Sequence, residues 1–133
     1  MSLAETLKGK KSIIVAVDFD GTLCKHEYPR IGMAYLGIVG MLKTMRTNGH
    51  KIILWTCRNG KELTEAIEWC KNLGLEFDAV NDDVEAIKNS DFGKYKSNKI
   101  YADVYLDDRA LTVQVPKRKK EAEIVKPEEE GNG

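Results

Sequence analysis

Four aspartates form two closely spaced pairs, Asp18 with Asp20 and Asp107 with Asp108, and each pair directly follows an apolar run. Like charges about 4 Å apart repel by roughly 4 kcal/mol at a typical effective dielectric, so pairs brought together must bind a cation, hold protons or face water. Carboxylate oxygens with no histidine or cysteine beside them suit Mg²⁺. The sequence therefore predicts a Mg²⁺ site built from both pairs, with ordinary turn formation by each aspartate as the alternative.

Other residue types could complete a site for phosphoryl transfer. Thr56 follows a second apolar run and offers a hydroxyl, while Gly21 lets backbone approach closely. Lys99, or alternatively Lys96 or Lys94, would neutralise charge shared by nucleophile and phosphate. One aspartate can attack phosphorus as nucleophile, and a second acid can protonate the leaving alcohol and then activate water.

The elements that must position these residues alternate between strand and helix patterns. The patterns predict strands at residues 12–17, 51–55, 77–80, 100–106 and 111–115, and helices at 34–47 and 61–73. Residues 81–98 are polar and show no clear period. We expect an α/β protein with a three-layer α/β/α Rossmann-like fold and a mostly parallel sheet. In such sheets, functional residues gather beyond the C-terminal ends of the strands.

The order of these motifs resembles that of the haloacid dehalogenase-like (HAD) phosphatase superfamily. The stretch Asp18-Phe19-Asp20-Gly21-Thr22-Leu23 is similar to the first motif of that superfamily, Thr56 to the second, Lys99 to the third and Asp107-Asp108 to the fourth. The resemblance covers residues 13–108. It implies a HAD-like fold and a Mg²⁺-dependent phosphomonoesterase that acts on a phosphorylated substrate.

The resemblance also implies a role for each motif residue. Asp18 would be the nucleophile and a metal ligand, and Asp20 the general acid/base, with its backbone carbonyl also on the metal. Thr56 and Lys99 would hold the phosphoryl group. Asp107 or Asp108 would complete the metal site.

Residues next to the motif aspartates and Thr56 are candidate substrate-binding groups. Gly21 and Thr22 belong to the first motif, and Cys57 and Arg58 follow Thr56. Arg58 resembles an arginine of polynucleotide-kinase-type phosphatase domains and would grip the substrate anion, with a plain surface arginine as the alternative. For Cys57 the alternative is a small buried packing residue.

The gaps between the motifs are too short for a separate cap domain, so the chain resembles a capless member. We expect the open site to be covered by a large substrate or by a neighbouring subunit of a homo-oligomer, with residues 24–32 and 81–98 at its rim. The substrate could thus be a small metabolite or a macromolecule. Lys+Arg and Asp+Glu are equal at 21 each, so the net charge does not indicate nucleic acid, although a local basic rim remains an option.

Composition predicts one folded domain at residues 1–116 and a charged, disordered tail at 117–133. The chain of 133 residues is 42% hydrophobic and 32% charged, enough apolar material for a core. No run approaches the roughly 20 apolar residues of a membrane span, and no signal-peptide core is present. The three cysteines form no Cys-x-x-Cys pair. We therefore expect a cytoplasmic protein that does not bind a membrane.

Two other functions are compatible with these residues. A non-enzymatic phosphoacceptor such as a response-regulator receiver also combines acids, a threonine and a lysine around Mg²⁺. A receiver has its acceptor aspartate on the third strand, whereas this chain has an acid pair after the last long strand. A degenerate HAD protein that only binds phosphate is the other alternative.

Overall fold

The computed structural model describes residues 12–94 and 97–111. Within them six strands and four helices follow one another in the order β1 (Ile14–Val17), β2 (Cys24–Glu27), β3 (Arg30–Ala34), α1 (Leu36–Thr47), β4 (Lys51–Leu54), α2 (Gly60–Asn72), β5 (Ala79–Val80), α3 (Glu85–Lys88), α4 (Asp91–Lys94) and β6 (Val104–Leu106). In these two ranges, no helix is both long and apolar enough to cross a membrane.

Four strands form a parallel sheet in the order β5-β4-β1-β6. Numbered among themselves along the chain, these strands run 3-2-1-4, the order of Rossmann sheets and not the 2-1-3 order of the flavodoxin-like sheets. Val17, the last residue of β1, lies opposite Leu54 on one side and Leu106 on the other. The residues that follow β1 and β6 therefore share one edge of the sheet, at the point where the strand order reverses.

Helical segments cover both faces of the sheet, which confirms the predicted three-layer α/β fold. Val15 and Val17 point to the face on which α1 and α2 pack, where their neighbours include buried Leu42 and Cys70. Ala16 points to the opposite face, which is covered by the segment that contains α3. Because both faces of the central strands are buried, these strands are continuous apolar runs in the sequence.

A β-hairpin replaces the loop that the sequence predicts after the first motif. β2 and β3 pair antiparallel between β1 and α1. The strand Cys24–Glu27 has the sequence Cys-Lys-His-Glu, which gives no apolar alternation, so its composition hides the strand. Gly32 lies so close to the backbone carbonyl of Lys25 that a Cβ would overlap it. The hairpin thus depends on backbone pairing and close backbone contact.

The segment that leads to the last strand also differs from the prediction. The strand begins at Val104 rather than at residue 100, because Ile100 and Ala102 are buried against the face of the sheet that α3 covers without joining the ladder. Residues 81–98 contain the helices α3 and α4, each too short to show a helical period. The predicted strand at 111–115, except exposed Leu111, and the tail at 117–133 lie outside the described residues.

Candidate active site

Three carboxylates converge beyond the ends of β1 and β6. Asp18 follows β1 and is partly buried, while Asp107 and Asp108 follow β6 and are exposed. One oxygen of each carboxylate lies within 4.8 Å of the other two. The predicted cluster therefore forms with these three side chains, and the fourth predicted carboxylate, that of Asp20, has a different partner.

The surroundings of Asp18 disfavour its ionised form. Burial, together with the negative charges of Asp107, Asp108 and Asp20, raises the pKa of the Asp18 carboxyl to about 6 against the opposing effect of the Phe19 amide. A divalent cation among these oxygens would offset both the burial and the repulsion. The donor set of three aspartates suits a hard ion such as Mg²⁺.

The turn after Asp20 is shaped around the Asp108 carboxylate. Gly21 has a φ of +87°, a conformation that favours glycine, and a Cβ at this position would overlap the carboxylate of Asp108. The close approach predicted for Gly21 is thus made to Asp108, a member of the acidic cluster. Thr22 is 7% exposed, and its hydroxyl has no hydrogen-bond partner among the described residues. Neither residue lines the site cavity described below.

Thr56 follows β4, the neighbour of β1, and its polar atoms bind other parts of the chain. Its amide donates to Asn81 Oδ1 at 2.8 Å, and its hydroxyl oxygen accepts from the Arg58 amide at 3.1 Å. Asn81 directly follows the adjacent strand β5, has a φ of 51°, and is not among the site residues that the sequence predicts. An asparagine directly after a short apolar run was the available signal, because asparagine tolerates positive φ and caps loops with its side chain.

Arg58 is buried rather than on the surface, at 2% exposure, and it binds Asp20. Its Nε and Nη2 donate to the two Asp20 carboxylate oxygens, each at 2.8 Å. Nη2 also donates to the Arg30 carbonyl at 2.9 Å, and Nη1 to the carbonyls of Pro29 at 3.2 Å and Glu62 at 3.4 Å. All five guanidinium N–H groups are thereby used within the chain. In this arrangement no guanidinium N–H remains to bind a substrate anion, the role that the sequence predicted for Arg58.

A cavity of about 660 Å³ opens over these groups. Of the site residues that the sequence predicts, those that line the cavity are Asp18, Asp20, Thr56, Cys57, Arg58 and Asp107. Cys57 is exposed, so its thiol is not the buried packing group offered as the alternative. The hairpin adds His26 and Tyr28, and the loop after β6 adds Arg109. Exposed Arg109 thus brings to the cavity a guanidinium that forms no ion pair among the residues described.

Lys99 is not brought to this cavity. It lines a second cavity of about 710 Å³ together with Tyr101, and the two cavities share no lining residue. Its ammonium lies 5.2 Å from the centroid of the Tyr105 ring. The structure therefore places Lys99 and Asp18 in different cavities. Of the alternative lysines, Lys96 lies outside the described residues.

Comparison with known proteins gives one informative relative. No protein-family model matches the chain, and no curated protein matches it. A solved structure of a conserved protein from Bacteroides thetaiotaomicron is similar, with 39% sequence identity and a TM-score of 0.66. The match covers 86% of this chain and 89% of that one. The similarity thus extends over nearly the whole of both molecules.

Proposed function

The chain belongs to the family of this conserved Bacteroides thetaiotaomicron protein, and we propose that it is a HAD-type, Mg²⁺-dependent phosphomonoester hydrolase that forms an aspartyl-phosphate intermediate. The observation that supports this most strongly is the convergence of Asp18, Asp107 and Asp108 within 4.8 Å at the reversal of strand order. Open α/β sheets bind ligands at that point. The receiver alternative is disfavoured because receivers have the flavodoxin-like order.

The same three carboxylates would hold the ion. When bound, Mg²⁺ supplies positive charge to the phosphate oxygens and to the acid cluster. The elevated pKa of Asp18 supports this assignment, because without a cation the surroundings disfavour the ionised form of the Asp18 carboxylate. Asp20 contributes its carboxylate to Arg58 instead of to the cluster. A contact of its backbone carbonyl with the metal stays a prediction.

Two carboxylates would perform the chemistry. A carboxylate oxygen of Asp18 attacks phosphorus, the bond from phosphorus to the ester oxygen breaks, and Asp20, which begins the cycle in its protonated form, gives the leaving alcohol that proton. Asp20 then accepts a proton from water as that water attacks the aspartyl phosphate. The bond between phosphorus and Asp18 breaks, and inorganic phosphate and the original Asp18 carboxylate are released.

Other lining groups would hold the phosphoryl group. The Cys57 amide makes no hydrogen bond within the described residues, so it is open to a phosphate oxygen. Arg109 provides a cation at the cavity, the function that the sequence assigned to Lys99. The Thr56 hydroxyl accepts from the Arg58 amide and keeps its own proton for the substrate.

The size and rim of the cavity are compatible with both phosphorylated metabolites and phosphorylated macromolecules as substrates. Between β1 and α1 the described chain has the hairpin β2–β3 and no inserted domain. A second copy of the chain that covers this opening, and a cytoplasmic location, stay predictions. Phosphate release from a panel of sugar phosphates, nucleotides, 3′-phosphorylated oligonucleotides and phosphopeptides would identify the class.

The decisive experiment measures release of p-nitrophenol from p-nitrophenyl phosphate. We expect turnover in Mg²⁺, none in EDTA, recovery on adding Mg²⁺ back, and none in Asp18→Asn. Glu76→Gln is the matched control, because it removes an exposed carboxylate that does not line the cavity. Turnover that survives in Asp18→Asn would refute the mechanism. Stable phosphorylation without turnover would establish the phosphoacceptor alternative.

A further inference from the structure

Arg58 connects three parts of the molecule through one buried guanidinium. Its two bonds to Asp20 form a fork of equal 2.8 Å length, its bonds to the Pro29 and Arg30 carbonyls reach the hairpin, and the Glu62 carbonyl belongs to α2. The guanidinium carbon also lies 4.9 Å from the Phe19 ring centroid and 5.0 Å from that of Tyr28, which is on the hairpin turn. Every polar and aromatic partner is thus part of the chain.

We propose that Arg58 is a positioning residue, one that orients the Asp20 carboxylate toward the cavity and fastens the hairpin beside it, and that Arg58 does not bind substrate. The proposal rests on the proposed function in its assignment of acid/base chemistry to Asp20. A carboxylate has about four lone-pair sites, and the fork uses two of them. The others remain for the proton that the leaving group needs, and Asp20 lines the cavity.

The guanidinium is suited to this role in a way that lysine is not. Its planar fork matches a carboxylate bidentately and at the same time stacks on aromatic rings. A lysine ammonium is a point charge with three donors, so it cannot hold both Asp20 oxygens and the two hairpin carbonyls together. Lysine does retain the buried positive charge beside Asp20, which makes Arg58→Lys the informative variant.

Leaving-group dependence separates positioning of Asp20 from other effects. Phenyl phosphate has a poor leaving group that needs a proton, whereas 2,4-dinitrophenyl phosphate leaves as a stable anion. We expect Arg58→Lys to lower kcat/KM by about 100-fold on phenyl phosphate and by less than about 5-fold on the dinitrophenyl ester, because kcat/KM reports the steps through departure of the leaving group and not the later hydrolysis of the aspartyl phosphate. Asp20→Asn should show the same pattern. Equal losses on both esters, or no loss on either, would overturn the proposal.

Phosphate inhibition separates positioning from substrate binding. We expect the inhibition constant of inorganic phosphate to stay within about 3-fold of wild type in Arg58→Lys. Arg109→Lys is the matched comparison, since the same substitution there changes an exposed cation at the cavity. A rise of about 10-fold or more in the phosphate constant for Arg58→Lys would make Arg58 a phosphate ligand and refute the proposal.

Hydrogen exchange tests the connection to the hairpin without any assay of activity. In Arg58→Lys and Asp20→Asn we expect backbone amides of β2 and β3 to exchange about 10-fold faster or more, with amides of β1 and β4 unchanged. Unchanged hairpin exchange would refute the fastening role. If wild type releases no phosphate from either ester, the proposed function fails and the acid/base role of Asp20 with it, while the exchange result still decides whether Arg58 fastens the hairpin.

Discussion

The two edges of the parallel sheet use aspartate in opposite ways. At the edge where the strands begin, Asp78 accepts the Ile52 amide at 2.8 Å and pairs with Arg46 at 3.2 Å. Asp103 accepts the Ile14 amide at 2.8 Å. Each carboxylate accepts a hydrogen bond from a backbone N–H of the adjacent strand and so links neighbouring strands.

At the opposite edge, where the strands end, aspartates face one another. Asp107 accepts the Arg109 amide at 2.9 Å, yet its carboxylate still lies in the cluster with those of Asp18 and Asp108. Burial and then the neighbouring negative charges raise the pKa of the Asp18 carboxyl. The comparison teaches that the partners of an aspartate, more than its place beside a strand, separate a structural acid from one arranged for a cation.

The largest expected difference between the edges is in turnover. Asp18→Asn removes the nucleophile, so we expect a loss of at least ~1000-fold in kcat on p-nitrophenyl phosphate. Asp103→Asn makes the same chemical change at the other edge and should keep kcat within about 3-fold, because its carboxylate binds the Ile14 amide and the Tyr101 hydroxyl and does not line the cavity of Asp18. Comparable losses in both variants would show that the assay reports folding and would end the contrast.

A smaller loss of kcat is expected for a variant at Gly21, whose backbone contacts the Asp108 carboxylate of the acid cluster. Gly21→Ala places a Cβ against the Asp108 carboxylate and requires alanine to adopt a φ of +87°. We expect kcat to fall about 10- to 100-fold as Asp108 is displaced, together with a stability loss of about 1–2 kcal/mol from the strained backbone. Gly49→Ala is the control, since its φ is +94° and nothing lies near its Cβ. If both variants lose activity equally, contact with Asp108 has no catalytic effect.

The sequence predicts the strand-end acids well because strand and cluster obey local rules. Continuous apolar runs such as 51–55 identify strands buried on both faces, and the rule for strand ends then places Asp18 and Asp107 together. The predicted α/β fold is confirmed on this basis. Helix bounds are close as well, with α2 found at Gly60–Asn72 for a prediction of 61–73.

What the sequence does not predict depends on contacts between distant segments. Buried Arg58 pairs with Asp20, and their bonded atoms lie 2.8 Å apart. The two residues are 38 positions apart in the sequence, so no local pattern indicates the pair. The hairpin has a polar first strand and is held by backbone bonds and by Arg58. Lys99 was placed by analogy with motif order, whereas the folded chain brings it to the cavity that Tyr101 also lines.

At the edge where strands begin, the expected effect is on stability alone. Asp78→Ala leaves the amide of fully buried Ile52 without its acceptor, so we expect unfolding by denaturant to require about 1–3 kcal/mol less free energy. The kcat of the folded variant should match wild type. Glu76→Ala, on the exposed loop nearby, is the control and should change stability by less than about 0.5 kcal/mol. A catalytic loss in Asp78→Ala at full folding would contradict a purely structural edge.

The subtlest test uses pH on the metal-free protein. The folded-state pKa of Asp18, about 6, exceeds the ordinary value of 3.8, so its stabilising contribution is complete below pH 3.8 and is lost as pH rises through 6. Asn at this position does not ionise. Asp18→Asn should therefore match wild type near pH 4 and, with solvent screening of this partly exposed group considered, exceed its stability by about 1–2 kcal/mol at pH 7.5. Denaturant unfolding in EDTA at both pH values measures this difference.

Mg²⁺ should then reverse the ranking, because it binds the folded wild type and stabilises it in proportion to the logarithm of its concentration over Kd. Asp18→Asn lacks one of the three carboxylates and should gain less. A wild type as stable as Asp18→Asn at pH 7.5 in EDTA would mean that the acids at this edge are no more strained than Asp78 and Asp103. The distinction between the two edges would then lose its energetic basis.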